Sequence, residues 1–160
     1  MKSLFFAAPL AIILGSLAFS TSAFSVLPSS PPPNSGSLSV RISGMDNSKG
    51  VVRVVLYNSE KTFLSENDFA VADSAFAQAN RSVEVTLHNV PFGTYAAAFY
   101  QDENQNGVID MNMLHIPTEP YAFSNDVRAK WSVPDFNKVA FRFDQAGMHL
   151  DVTLHDWSQQ

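Results

Sequence analysis

The sequence contains no cysteine. No disulfide can hold the fold, no thiolate can ligate a metal or act as a nucleophile, and no N-terminal cysteine can carry a lipid. The core must stabilise the chain itself, with or without help from a metal ion. Basic residues are scarce too: Lys plus Arg is 10 against 15 for Asp plus Glu, a net charge of −5. That balance argues against nucleic acid and against anionic lipid as partners, and it suits divalent cations. No helical periodicity is sustained, and no internal repeat is evident. There is no G-x-S-x-G elbow, no G-x-x-x-x-G-K-[ST] phosphate loop and no G-x-G-x-x-G dinucleotide loop. The four histidines, His88, His115, His149 and His155, form no H-x-H or H-E-x-x-H pair, so zinc is unsupported.

One long apolar run is present, at the N-terminus. Lys2 supplies a positive end, Leu4 to Phe19 the apolar stretch, and Thr21-Ser22-Ala23 a small-residue cleavage site. The run is shorter than the roughly 20 residues a membrane span needs. Residues 1–23 therefore read as a signal peptide, the alternative being an uncleaved anchor. The mature chain would begin near Phe24, be periplasmic or secreted, and have no membrane span. Residues 24–36 are Ser- and Pro-rich, with Pro31-Pro32-Pro33, and read as a spacer.

Residues 37–157 remain for a single domain. With 46% hydrophobic and 12% aromatic residues, the chain can bury a real core. Period-two alternation recurs in short runs: Leu38, Val40, Ile42; Val52, Val54, Leu56; Val83, Val85, Leu87; Tyr95, Ala97, Phe99; Val139, Phe141, Phe143; and Leu150, Val152, Leu154. Such runs, bounded by Gly, Pro, Asn and Asp, are strands. The fold class that follows is all-β: a single antiparallel β-sandwich of six to eight strands, Ig-like or transthyretin-like. Ser59 to Phe69 reads as a short helix or as a loop over a sheet edge. Asp102 to Asp135 is long for a loop in a compact domain, and its aromatics imply that it packs and is ordered.

That long segment opens with Asp102-Glu103-Asn104-Gln105-Asn106-Gly107-Val108-Ile109-Asp110. Oxygen-bearing side chains at alternate positions, then a glycine, then a carboxylate are the first nine positions of an EF-hand-type calcium loop. Asp102, Asn104, Asn106 and Asp110 would supply side-chain oxygens and Val108 its carbonyl. Gly107 falls where the backbone must reverse. The twelfth position, a bidentate glutamate in an EF-hand, is Met113, so Glu119 or Asp126 would have to complete the set. The flanks read as strand and as Ile116-Pro117, not as helices. The alternative is a polar turn held by Asx-type hydrogen bonds.

Three ordered motifs carry a resemblance. Asn89-Val90-Pro91-Phe92-Gly93-Thr94-Tyr95-Ala96, then the Asp102–Asp110 loop, then Ile116-Pro117-Thr118-Glu119-x-Tyr121-x-Phe123-Ser124-Asn125 together resemble domain-of-unknown-function family 2141, from about Leu38 to Leu154. The resemblance implies a small exported bacterial protein and no particular activity. This chain departs from the family in having Gln101 where a His is common, and His115, Pro120 and Ala122 where Gly is common. A role resting on that His is therefore not carried over. Val90-Pro91-x-Gly93-x-Tyr95 is also similar to the turn that opens a core strand in transthyretin-like and carboxypeptidase-regulatory-like sandwiches. That bears on fold and not on activity. The transthyretin-like hydrolases end in Tyr-Arg-Gly-Ser; this chain ends Asp156-Trp157-Ser158-Gln159-Gln160.

Two functional readings follow. In the first, the protein is a non-enzymatic binding or scaffold module, for a protein or glycan ligand, with a structural calcium ion in the 102–110 loop. In the second, it is a hydrolase acting on an envelope or extracellular substrate. Glu119 would then work with a neighbouring carboxylate, Asp110 or Asp126, or with His115. Tyr121, Phe123 and Trp131 are candidates for an exposed ligand face, or for core.

Overall fold

A computed structural model describes residues 34–78, 81–129 and 132–159. The expected signal peptide, most of the expected spacer and Trp131 lie outside the described residues. Among the described residues eight strands form, β1 Ser35–Ser43, β2 Val51–Tyr57, β3 Val71–Phe76, β4 Ser82–Pro91, β5 Gly93–Asp102, β6 Tyr121–Phe123, β7 Phe141–Phe143 and β8 Met148–Thr153, with a single α-helical turn, α1, at Phe136–Val139. The order β4-β1-β8 makes one sheet and β3-β2-β5-β6 the other, with β7 pairing the start of β5. The two sheets pack as a sandwich, as the alternation implies. The pairing of β1 with β8, the first strand with the last, is parallel, and the other strand pairings are antiparallel. Among the described residues no helix is long and apolar enough to cross a membrane.

Alternation decides which side chains meet. Leu38, Val40 and Ile42 from β1 face Val52, Val54 and Leu56 from β2, and all six are fully buried. Val83, Val85 and Leu87 from β4 and Ala97 and Phe99 from β5 join them in one core. Each large side chain so buried contributes on the order of 1.5–3 kcal/mol. Tyr95 closes the turn into β5, where its hydroxyl donates to the Pro91 carbonyl at 2.8 Å.

The opposite face of the larger sheet is covered as well. Val55 and Tyr57 of β2, Ala96 and Ala98 of β5, and Tyr121 and Phe123 of β6 pack with Phe136 and Val139 of α1 as a second cluster. The ambiguous Ser59–Phe69 stretch is a 3-10 turn at Glu60–Thr62 followed by a loop, and it lies over this face. Phe63 packs edge-on against Tyr57 and Phe136, with ring centroids 5.5 and 5.8 Å away.

β3 has no counterpart in the alternation. Ala72, Asp73 and Ser74 are exposed on a sheet edge, so no polar–apolar contrast marks them. One glycine fixes how the next segment leaves the sandwich. Gly50 has φ +67°, and a Cβ there would lie 2.0 Å from the Asp102 carbonyl oxygen, so only glycine lets that turn press against the end of β5.

Candidate functional site

The loop after β5 begins from a buried charge. On β5 the outward positions alternate through Ala96, Ala98, Tyr100 and Asp102, and Asp102 is fully buried. Arg53 lies opposite Tyr100 in the β2–β5 register. Its Nε donates to Asp102 Oδ2 at 2.6 Å. The same oxygen accepts the Gly107 N–H at 2.9 Å, and Oδ1 accepts the Asn106 N–H at 3.0 Å. One carboxylate thus neutralises a guanidinium and folds the chain back on itself.

Two Asx turns continue the curl. Asn104 Oδ1 accepts from Asn106 N and Asn106 Oδ1 from Val108 N, each at 3.0 Å. Their amide Nδ2 atoms donate to the two oxygens of Asp110, at 2.6 and 2.9 Å. Gly107 has φ +93°, and its missing Cβ would meet only Arg53 Nη2 at 3.9 Å. Here glycine answers a backbone demand and not a lack of space. The Tyr100 hydroxyl donates to the Gly107 carbonyl at 2.8 Å.

Glu119 closes the loop from outside. It is 5% exposed and sits just before β6. Oε1 accepts the Glu103 N–H and Oε2 the Asp110 N–H, both at 2.9 Å, so one carboxylate holds both ends of the curl. Thr118 N donates to the Asp110 carbonyl at 2.9 Å, and Met111 bridges to Pro117. Asn112 Oδ1 organises the tip beyond by accepting from Leu114 and Ile116 N–H groups. His115 takes φ +57° at that tip and is exposed.

The structure therefore brings Asp102, Asn104, Asn106, Asp110 and Glu119 into one bonded unit, while Val108 contributes its N–H. Asp126 does not join it. Phe123 sits opposite Ala98, so the chain after β6 runs toward the other end of β5. There Asp126 pairs with Arg128 at 3.2 Å. Tyr121 and Phe123 are 6% and 8% exposed, which makes them core of the outer layer and not an open aromatic face. The Tyr121 hydroxyl donates to the Ala129 carbonyl at 2.6 Å.

Two supporting residues escaped the sequence reading. Arg53 stands in an otherwise apolar strand, Val51-Val52-Arg53-Val54-Val55-Leu56-Tyr57, which is the one local sign that it has a buried partner. Gln101 is fully buried. Its Nε2 reaches the Asn47 and Lys49 carbonyls at 3.2 and 3.0 Å, and its Oε1 accepts the Asp46 N–H at 3.2 Å. It fastens the β1–β2 turn beneath the loop.

Calcium takes six to eight oxygens. The residue types here fit that demand, with two carboxylates and two amides gathered round one turn. The charge they offer is low, because Asp102 already faces Arg53. Among the described residues no group of three or more His, Cys, Asp or Glu gathers in a metal-holding cluster.

Burial raises the pKa of Glu119, with Asp110 and Asp102 adding to the shift and the two N–H bonds opposing it. Asp46 is also raised, first by desolvation and then by the Asp156 carboxylate beside it. A carboxyl whose pKa is raised on folding binds its proton more tightly in the native state. Its stabilising contribution is full below the ordinary pKa and is lost as pH rises through the raised value. Both groups push the same way. Urea midpoints are therefore expected to rise as pH is lowered from neutral through the raised values toward the ordinary carboxylate range, and Glu119→Gln is expected to flatten that slope.

A family model described as an uncharacterized protein conserved in bacteria (DUF2141) matches residues 40–151. No curated protein and no solved structure matches the chain.

Proposed function

The chain belongs to the DUF2141 family of uncharacterized bacterial proteins, and from that premise we propose that it is an exported binding module whose 102–110 loop takes one calcium ion. The observation behind this reading is the convergence of Asn104, Asn106 and Asp110 in one hydrogen-bonded cluster, with Asp102 tied to the same turn. Asp102, Asn104, Asn106 and Asp110 would hold the ion with the Val108 carbonyl, in place of the amide–carboxylate bonds now made. The ion's contribution is structural. Arg53, Glu119 and Tyr100 already fasten the loop, and calcium adds to that hold. With so low a charge the affinity would be about 10⁻⁴–10⁻³ M, the range of extracellular modules. A hydrolase would have to draw on Glu119, whose oxygens both hold the loop, so the bonding favours a binding module.

Thermal unfolding of the mature protein in EDTA, and then in millimolar calcium with magnesium as control, tests the proposal. At about ten times Kd, calcium contributes about 1.4 kcal/mol by mass action. That corresponds to a rise in Tm of several degrees. The rise should be specific to calcium and lost in Asp110→Ala. An identical Tm in EDTA and calcium would leave the loop as a turn held by its own hydrogen bonds.

A further inference from the structure

We infer that the outer face of the larger sheet carries a binding groove for an apolar organic cation, an amine or quaternary ammonium with an aromatic or alkyl body. The groove is a concavity of about 1350 Å³, within reach of what a small-molecule site requires. Its floor is the sheet, where Ala98 and Ala72 are small and Tyr57, Tyr100, Tyr121 and Phe123 stand around them. One wall comes from the loop between β2 and β3, with Leu64 and Phe69. The other comes from the clamped segment, with Ile109, Met111, Leu114 and Ile116.

Two features separate this hollow from an ordinary surface dip. The first is its rim. Phe69, Met111, Leu114 and Val133 are 44%, 54%, 77% and 65% exposed and line the same opening. Large apolar side chains clustered in the open around one concavity mark a surface that is covered in use.

The second is charge. Arg53 is the only Lys or Arg among the described lining residues, and Asp102 neutralises it at 2.6 Å. Glu66 is exposed at the mouth and makes no ion pair among the described residues. Asp73, exposed on β3, also lines the groove. With Arg53 neutralised by Asp102, the Glu66 and Asp73 carboxylates leave the described lining net negative. Such a charge balance repels a fatty acid or other apolar anion and attracts an apolar cation.

The test uses two hydrophobic dyes of opposite charge, malachite green as cation and anilinonaphthalene sulfonate as anion, titrated into the mature protein and followed by fluorescence. Malachite green should bind at least about tenfold more tightly than the sulfonate. Glu66→Gln should weaken the cation about three- to tenfold with no change in Tm, since Glu66 is exposed and makes no ion pair among the described residues. Ala72→Trp fills the groove from an exposed position on edge strand β3. It should weaken the cation more than about tenfold without altering the circular dichroism spectrum. Equal affinity for the two dyes, no binding of the cation, or cation binding indifferent to both substitutions would overturn the inference.

Discussion

Replacing Asp102 with alanine is expected to lower the unfolding free energy by about 3–5 kcal/mol, the cost of leaving one partner of a buried ion pair uncompensated. The Asp102 carboxylate is wholly buried, while the Arg53 side chain is 30% exposed. Arg53 therefore recovers some hydration, which sets the effect at the lower end of that range. The loss goes beyond the pair, because Asn106 and Gly107 also give up the acceptor of their N–H groups. Urea denaturation of the single variant, of Arg53→Met and of the double variant separates these parts. The double variant should regain part of the loss, since it removes the stranded guanidinium. If Asp102→Ala unfolds at the same urea concentration as the parent protein, the clamp has no energetic role.

Glu119→Ala is expected to cost about 2–4 kcal/mol, because two half-buried N–H groups lose a charged acceptor at once. Glu119→Gln keeps one acceptor oxygen and turns an amide donor toward the other N–H, so it should fall between the parent protein and the alanine variant. The damage should be local. The Glu103 and Asp110 amides would lose protection against hydrogen exchange, while Val52 and Val54, deep in the sandwich, would keep theirs. Uniform loss across the sandwich would instead place Glu119 in the global core.

What was legible in the sequence follows from how local each signal is. Strands β1, β2, β4 and β5 showed themselves because one of their faces is fully buried and their alternation is strong. β3 did not, because an edge strand with Ala72, Asp73 and Ser74 in the open carries no such contrast. The parallel pairing of β1 with β8 joins residues more than a hundred positions apart, and no local pattern encodes it. Within the loop, Asn104, Asn106 and Gly107 were readable because Asx turns and a positive φ have their own residue preferences. The sequence names Glu119, with Asp126, as a residue to complete the ligand set; in the fold its carboxylate accepts the Glu103 and Asp110 N–H groups. The partner of Arg53 is not legible locally, because it lies 49 residues away. The groove is built by several segments far apart in the chain, so it exists only once the chain is folded.

Two carboxylates from the protein's own chain, Asp102 and Glu119, hold the 102–119 segment on the sandwich, and the calcium ion we propose there would add to that hold. Amide hydrogen exchange of the protein in EDTA tests this most directly. The Glu103, Asn106, Gly107 and Asp110 amides, all donors to those two side chains, should exchange on the order of a hundredfold more slowly than free-peptide amides with no calcium present. Exchange at the free-peptide rate, slowed only when calcium is added, would contradict the account.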